Sequence, residues 1–405
     1  NQSRTRDSIF QQKIVGANAQ LTSVVLTESS SHMITYGMDY YTTENESIRD
    51  GATIDARGNP VFESGYPTRD FPRTEVENLA FFLQDEIEML DGKLLLSPGL
   101  RYDKNEAKAD ADLIYEQGNP GGPPPIDFNE SDLTFKFGAV LQLSEDLSIF
   151  GRFSEGFRAP PFDDANLGFK NFRSQYKFVS APDLTSETSD GLEIGVRIVR
   201  SFFDASLAVF ANDYEDFIAD AAGAHCSSYY RQFGCIDPSD GFLTFQSENI
   251  AGVSIEGAEL RFSVDLDAIG MSNFGLQGAI AYADGEDEEA NEPLDSIQPL
   301  TAIIGMSFDS SSGVWGGNLI WTGVKSKDES DLSTGSALME TSGYGIFDLT
   351  GYYRVGDAFS LNVGIYNLAD KSYIKWADTA GIGRDASARF TQPGTNFSLG
   401  LKYEL

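Results

Sequence analysis

Apolar and polar residues alternate along much of this 405-residue chain, and this period of two constrains the fold more than any other feature. Leu133, Phe135 and Phe137 fall on one face of a segment whose other face carries Thr134 and Lys136. The same alternation returns in the ranges 192–198, 203–209, 359–366 and 397–403. Successive side chains of a β-strand point to opposite faces, so the pattern predicts strands with one apolar and one polar face.

The connections between these predicted strands alternate between short and long. Short connections fall near residues 29–31, 91–92, 144–146, 200–201, 267–273, 309–312 and 355–358. Long ones cover about 47–74, 105–131, 154–187, 212–241, 285–297, 325–342 and 368–394. A soluble β-sandwich has no reason to sort its connections in this way, whereas outer-membrane barrels have short periplasmic turns and long external loops. The sequence therefore predicts an all-β fold, a transmembrane antiparallel β-barrel.

The number of predicted strands bears on whether the barrel is complete. The predicted strands number about 15, whereas single-chain bacterial barrels have an even number. We therefore expect residues 1–405 to be the C-terminal part of a larger barrel, in which the first strand, near 9–25, does not pair with the last, 397–403. Six side chains are expected to face lipid: Leu133, Phe135, Ile194, Leu207, Val363 and Leu399.

The net charge indicates which partners the chain can bind, and the cysteines indicate the compartment in which it works. The net charge is −33, from 62 acidic and 29 basic residues, which argues against nucleic acid because phosphate binding needs a basic surface. The acidic excess predicts solvated loops, and the run 284–289 with Asp295 also offers oxygen ligands for Ca²⁺, without the regular spacing of a calcium loop. The chain has two cysteines, Cys226 and Cys235, whose spacing predicts one local disulfide in an oxidising compartment.

Six segments, taken in order, resemble parts of TonB-dependent outer-membrane receptors, in particular the heme and hemoglobin group, which includes transferrin and lactoferrin receptors. Phe157–Pro160 read Phe-Arg-Ala-Pro, similar to an element of that group, and residues 181–184 read Ala-Pro-Asp-Leu where the group has Asn-Pro-Asn-Leu or Asn-Pro-Asp-Leu. Residues 185–191 resemble the loop-to-strand entry of the family, residues 249–259 resemble its descending strand, and residues 367–373 and 391–394 resemble its closing segment.

This resemblance implies a barrel of about 22 strands with an N-terminal plug, of which this chain holds about 15 strands and neither the plug nor the first strands. It implies the outer membrane of a Gram-negative bacterium, with lipid around the barrel and a TonB complex that engages the missing N-terminal part. The implied function is active uptake of heme, including heme from hemoglobin. The alternatives are uptake of a siderophore or another nutrient and, from a different class, a passive porin-like barrel.

The sequence offers no catalytic constellation, and we expect neither an enzyme nor an intrinsic cofactor. The two histidines, His32 and His225, lie far apart in the sequence, and no glycine-rich loop for phosphate is present. His32 begins a predicted strand beside a short turn, which places it at the periplasmic rim, away from the expected ligand side.

Ten residues are candidates for ligand binding: Phe157, Arg158, Ala159, Pro160, Tyr176, Asp183, Leu184, His225, Tyr229 and Tyr230. The phenol of Tyr176 and the imidazole of His225 are groups that ligate ferric iron. Many heme receptors carry a histidine between the two loop elements, whereas this chain has none there and Tyr176 is the nearest substitute. The alternative is that these side chains only shape the loops, with Arg158 paired to an internal carboxylate such as Asp163.

Four cations lie in the predicted loop 154–187 of an otherwise acidic protein: Arg158, Lys170, Arg173 and Lys177. Heme propionates are anions, so we expect these side chains to attract them locally. If heme is the ligand, the loops 154–187 and 212–241 should lie at the same external mouth, because the second loop carries His225.

Overall fold

In the computed structural model of this protein, the described residues are 3–59, 66–119, 124–171, 174–219, 221, 225–334, 339–356, 358–379 and 389–403. The first ten strands are β1 Ser3–Leu26, β2 Ser30–Ile54, β3 Arg73–Met89, β4 Leu94–Asp110, β5 Phe128–Gln142, β6 Leu147–Arg158, β7 Phe169–Asn171, β8 Tyr176–Phe178, β9 Glu187–Arg200 and β10 Phe203–Ala219. The others are β11 Leu243–Phe245, β12 Glu248–Asp265, β13 Phe274–Asp287, β14 Glu292–Pro293, β15 Thr301–Asp309, β16 Trp315–Val324, β17 Tyr344–Val355, β18 Phe359–Tyr366 and β19 Asn396–Tyr403.

The helices are short and lie in the connections. They are α1 Leu113–Gly118, α2 Phe162–Asn166 and α3 Ser228–Arg231, with single 3₁₀ turns at Leu266–Ile269, Glu329–Asp331 and Trp376–Asp378. Within the described part of the chain, no helix is long and apolar enough to cross a membrane.

Fifteen strands form one continuous antiparallel path, β1-β2-β3-β4-β5-β6-β9-β10-β12-β13-β15-β16-β17-β18-β19, and β14 adds a short extension to β13. This confirms the predicted all-β barrel architecture and the predicted number of strands. Among the described residues, β1 and β19 do not pair with each other, as the sequence also predicted.

The apolar side chains of the large sheet lie on the surface. The six that the sequence assigned to lipid, Leu133, Phe135, Ile194, Leu207, Val363 and Leu399, are between 37% and 71% exposed. They do not pack between two stacked sheets, which confirms the prediction. The register aligns them across strands, with Leu207 opposite Leu260 and Val363 opposite Leu399. We call this side of the sheet the outer face and the opposite, polar side the inner face.

All seven short connections lie where the sequence predicted them, but several long connections are shorter than predicted because their strands continue. β2 runs to Ile54, and β1 pairs with it without interruption from Ser3 to Leu26. A membrane-crossing strand needs only about 9–11 residues, so this hairpin extends well beyond a bilayer. Apolar and polar residues alternate only where the strands cross the lipid, but the backbone pairing of β1 and β2 continues beyond it. In this continuation, Lys13 and Glu44 form an ion pair at 3.1 Å.

Candidate functional site

Two long connections, residues 159–186 and 220–247, interlock at the same end of the barrel; we call them the two-loop unit. The first contributes β7 and β8, the second contributes β11, and the three strands form a separate small sheet in the order β11-β8-β7. β8 and β11 pair in parallel, with Leu243 opposite Tyr176 and Phe245 opposite Phe178. The loops that carry Tyr176 and His225 therefore lie at one mouth, as expected for a shared ligand site.

Aromatic packing holds the small sheet together. The ring of Tyr176 is half-buried, with centroids 6.1 Å from Phe169, 5.9 Å from Phe178 and 6.4 Å from Phe245. Phe178 and Phe245 also contact each other, with ring centroids 5.4 Å apart. Aromatic pairs at such distances contribute about 0.5–1.5 kcal/mol each beyond the area that they bury. Tyr176 is thus a packing residue of the unit, whatever else its phenol binds.

Ion pairs join the two loops beside this sheet; we call the group of Lys170, Lys177, Asp237 and Asp240 the two-loop latch. The Nζ atom of Lys177 lies 2.5 Å from Asp237 and 3.2 Å from Asp240, and the Nζ atom of Lys170 lies 2.6 Å from Asp240. Burial alone would raise the pKa of the Asp237 carboxyl, but hydrogen bonds from Lys177 and Ser239 lower that pKa to about 2. At neutral pH, the Asp237 carboxyl is therefore ionised beside Lys177.

Three of the four cations of this loop lie among the described residues, and carboxylates of the protein itself pair with each of these three. Lys170 and Lys177 belong to the latch, so their ammonium groups already pair with carboxylates of the protein, and their attraction of heme propionates stays a prediction. Arg158 lies 3.5 Å from Glu187 at the start of β9, which makes Glu187 an internal carboxylate in the place where the sequence suggested Asp163. Arg173 lies outside the described residues.

A disulfide fixes the tip of the second loop. Cys226 and Cys235 are bonded, with their Cα atoms 5.8 Å apart. Next to them, the Nε2 atom of His225 lies 3.3 Å from Glu248 Oε2, and the same carboxylate accepts a hydrogen bond from the backbone N–H of Ser228. His225 is thus held against the beginning of β12, and α3 follows directly from this anchor.

Between the two cysteines, the chain presents aromatic side chains to solvent. Tyr229 is 58% exposed and Phe233 is 45% exposed. The ring of Tyr229 lies 4.9 Å from that of Tyr230 and 6.0 Å from that of Phe233, measured between centroids. We call Tyr229, Tyr230 and Phe233 the aromatic tip. The sequence singled out the two tyrosines but missed Phe233, because nothing in its immediate neighbours distinguishes it from a buried phenylalanine.

A groove of about 320 Å³ runs between the loops, lined by Ala181–Leu184, Ser227–Tyr229 and Gln246–Asn249. It brings together Asp183, Leu184 and Tyr229 from the predicted set. Leu184 is only 8% exposed and packs in a hydrophobic cluster with Ala165, Ala181 and Ile218, which favours a structural role for it. The groove carries carboxylates at Asp183 and Glu248, which makes it unfavourable for an anion.

The remaining candidates lie at the exit of the barrel wall and in the acidic loop. Phe157 and Arg158 end β6, and Ala159 and the buried Pro160 lead into α2, so the four residues turn the chain from strand to loop. Asp295, offered by the sequence to Ca²⁺, accepts hydrogen bonds from the backbone N–H and the hydroxyl of Ser333. No group of three or more His, Cys, Asp or Glu side chains that could hold a metal ion occurs in the described ranges.

Sequence comparisons identify relatives over most of the chain. The family model for the TonB dependent receptor-like β-barrel matches residues 1–368. Hemoglobin-haptoglobin utilization protein B of Neisseria meningitidis serogroup C is 25% identical over 341 residues, 76% of this chain and 42% of that protein. Lactoferrin-binding protein A of N. meningitidis serogroup B is 26% identical over 297 residues, 67% of this chain and 31% of that protein. The chain thus spans less than half the length of these relatives.

Solved structures agree on the architecture. The copper transporter OprC superposes with a TM-score of 0.72 and 19% identity, covering 98% of this chain and 57% of that chain. The hemophore receptor HasR of Serratia marcescens, solved with its hemophore HasA and heme, gives a TM-score of 0.68 and 14% identity, covering 98% and 59%. At these identities, the likeness concerns the fold alone.

Proposed function

The chain belongs to the TonB-dependent receptor β-barrel family, and from this premise we propose that the full-length protein takes up iron, in the form of heme, from a carrier protein that docks on the two-loop unit. The match over residues 1–368 confirms the resemblance inferred from the sequence motifs and places the barrel in the outer membrane of a Gram-negative bacterium. Proteins of this family are receptors and transporters and not enzymes, as predicted.

The relatives support an iron-related substrate delivered by a protein. Their names specify hemoglobin-haptoglobin and lactoferrin, which differ in the chemical form of the iron but are all proteins. A receptor for such a substrate needs an external surface that binds a protein before iron is released. We further propose that a TonB complex supplies the energy for uptake, since this barrel family is defined by that dependence.

The observation that carries the proposal is the rigidity of the aromatic tip. Exposed, clustered aromatic side chains supply most of the binding energy in many protein–protein interfaces, provided that they are held in place. Here the disulfide of Cys226 and Cys235, the carboxylate of Glu248 and the latch fix the segment that carries Tyr229 and Phe233. Such pre-organisation lowers the entropy cost of binding.

Replacing both Tyr229 and Phe233 with serine is expected to raise the Kd for the carrier protein about tenfold or more, because the aromatic anchors are removed. The measurement is binding of hemoglobin, and of lactoferrin in parallel, to the full-length protein in detergent by biolayer interferometry. The matched control is Phe202→Ser, since Phe202 is 43% exposed but lies in a short connection at the opposite end of the barrel. Equal affinities for the double variant and the control would contradict docking on the tip.

The heme ligands proposed on the two-loop unit are the phenol of Tyr176 and the imidazole of His225. Tyr176→Phe keeps the aromatic packing and removes only the phenol, and His225→Gln keeps a hydrogen-bonding group facing Glu248. We expect each variant to shift the Soret band in a hemin titration of the full-length protein, while carrier binding stays unchanged. Unchanged spectra and hemin affinity in both variants would remove these residues as ligands and leave the receptor proposal to the carrier experiment.

Uptake of a siderophore or another small nutrient is the second candidate function, and the groove between the loops favours it. Its volume of about 320 Å³ falls at the lower end of the roughly 300–1,000 Å³ typical of small-molecule pockets. Its carboxylates, Asp183 and Glu248, suit a neutral or cationic compound better than heme. Under this alternative, Phe233→Ser alone, at a residue that does not line the groove, would leave uptake intact, whereas Asp183→Asn would alter it.

A further inference from the structure

A groove lies on the outer face of the sheet, at the end of the barrel opposite the two-loop unit, and it has a volume of about 400 Å³. The register shows how it arises. One cross-strand row runs through Phe274, Phe308, Gly317, Gly351 and Val363 on five successive strands. The two glycines face each other and supply no side chains, so the row is interrupted between Phe308 and Val363.

Apolar side chains surround most of this gap, and its lining also includes Ser307, Asn318 and Thr350. Leu319 and Leu349, directly opposite each other, form the wall toward the middle of the membrane, and Trp315 forms the wall toward the short turns. The rings of Phe274, Phe308 and Trp315 contact one another in series at tilted angles, with centroids 4.8 and 4.9 Å apart, which makes one wall stiff. The inner face behind this segment is polar, and the apolar side chains that line the groove all belong to the outer face.

On the inner face behind the groove, polar side chains contact one another. The hydroxyl of Tyr352 donates a hydrogen bond to Asp309 at 2.5 Å, and the guanidinium of Arg354 lies over the Tyr352 ring at 4.9 Å. These residues alternate along β17 with Gly351 and Tyr353 of the outer face. Because the outer face of this barrel family faces lipid, the medium in contact with the groove is the bilayer.

The depth of the groove identifies the leaflet. Val363 lies four residues after the start of β18, which corresponds to about 13 Å along the strand and, at a strand tilt of about 35–45°, to roughly 10 Å of depth from the short-turn rim. Half the hydrocarbon core of a bilayer is about 15 Å thick, so the groove spans the leaflet on the side of the short, periplasmic turns. Trp315 sits at the rim, the level at which tryptophan is enriched in membrane proteins.

We propose that this groove is a binding site for one acyl chain of a phospholipid in the periplasmic leaflet. An acyl chain that fills the gap makes the dispersion contacts that side chains would otherwise make at Gly317 and Gly351. The stiff aromatic wall reduces the entropy cost of ordering the acyl chain. The site is independent of the substrate proposed above, because it lies on the lipid side of the wall and at the other end of the barrel.

The test is photolabelling of the full-length protein in nanodiscs with a phosphatidylethanolamine that carries a diazirine on one acyl chain, followed by peptide mapping. Peptides from β16 to β18 should be labelled several-fold more than the peptide of β10. Val363→Phe fills the groove and should reduce the labelling of β16–β18 several-fold. Val209→Phe, the same substitution on the outer face of β10, is the matched control and should not change it.

Uniform labelling of all outer-face peptides would overturn the proposal, as would equal labelling of β16–β18 in the two phenylalanine variants. The proposal would also be overturned if a second copy of the protein covered the groove and kept the lipid probe away from it. Native mass spectrometry of the same nanodiscs detects such a dimer. Circular dichroism on both variants establishes that each barrel is folded before labelling is compared.

Discussion

Arginine in place of Leu207 is expected to lower the free energy of unfolding by about 2–4 kcal/mol, the cost of a cation near the bilayer midplane on the lipid face of a barrel. Leu207 lies on the outer face of β10, between Val196 and Leu260, and is 45% exposed. It follows the start of β10 at Phe203 by four residues, which is about 13 Å along the strand. At a strand tilt of about 35–45° this is roughly 10 Å of depth, closer to the middle of the hydrocarbon core, at about 15 Å, than to its edge.

The matched control is Ala208→Arg, one residue further along the same strand. Ala208 faces the inner side, opposite Gly195 and Glu259, so a new guanidinium there meets water and a carboxylate. We expect a change below about 1 kcal/mol for this variant. Both values come from denaturant unfolding of the full-length protein in lipid vesicles. Equal destabilisation by the two arginines would contradict the assignment of the outer face to lipid.

The barrel wall could be predicted from the sequence because its cause is local. In Leu133 to Phe137 or Leu192 to Ile198, each residue is apolar or polar according to the side of the wall on which it lies, and lipid enforces that choice at every second position. The same cause explains why the sequence did not predict the full length of β1 and β2. Beyond the membrane, both faces of β1 and β2 meet water, so the alternation ends although the strands pair to Ile54.

The two-loop unit could not be predicted in the same way because its contacts are long-range. β8 has three residues, too few for a periodic pattern, and it pairs with β11, more than 60 positions away. The latch also joins residues that are far apart in the sequence. From the sequence alone, Lys177 was predicted to attract anionic ligands, whereas in the folded protein it pairs with Asp237. The disulfide was accessible to prediction because Cys226 and Cys235 are the two cysteines of the chain and lie close in sequence.

Replacing Lys177 with methionine is expected to weaken the contact between the two loops by about 2–3 kcal/mol, since it leaves two partly buried carboxylates without their shared ammonium. Lys177 and Asp237 are each 12% exposed, so water compensates little. The measurement is hydrogen exchange at the backbone N–H groups of Val179 and Leu243, which donate to Phe245 and Gln175 across the loops. Their protection should fall by the factor that this free energy implies.

The control for this substitution is Lys13→Met. Lys13 also pairs with a carboxylate, that of Glu44, at 3.1 Å, but the two side chains are 66% and 60% exposed. Exposed pairs contribute about 0–1 kcal/mol, so exchange at the two-loop unit should stay the same and the β1–β2 hairpin should change little. Unchanged protection of Val179 and Leu243 in Lys177→Met would show that the aromatic packing of the small sheet is sufficient without the latch.

The pH dependence of the same exchange separates charge from packing. The pKa of Asp237 is about 2 in the folded protein and about 3.9 in an unfolded chain, so the stabilisation is present above about pH 4 and is lost as pH falls toward 2. Protection corrected for intrinsic exchange should therefore be equal at pH 7 and pH 5 and fall near pH 2.5. Lys177→Met should remove most of this dependence, because protonation of Asp237 then no longer breaks an ion pair. The aromatic tip, held by the latch, is thus expected to keep its position under mildly acidic conditions, and carrier binding at pH 5 should not weaken through loss of the latch.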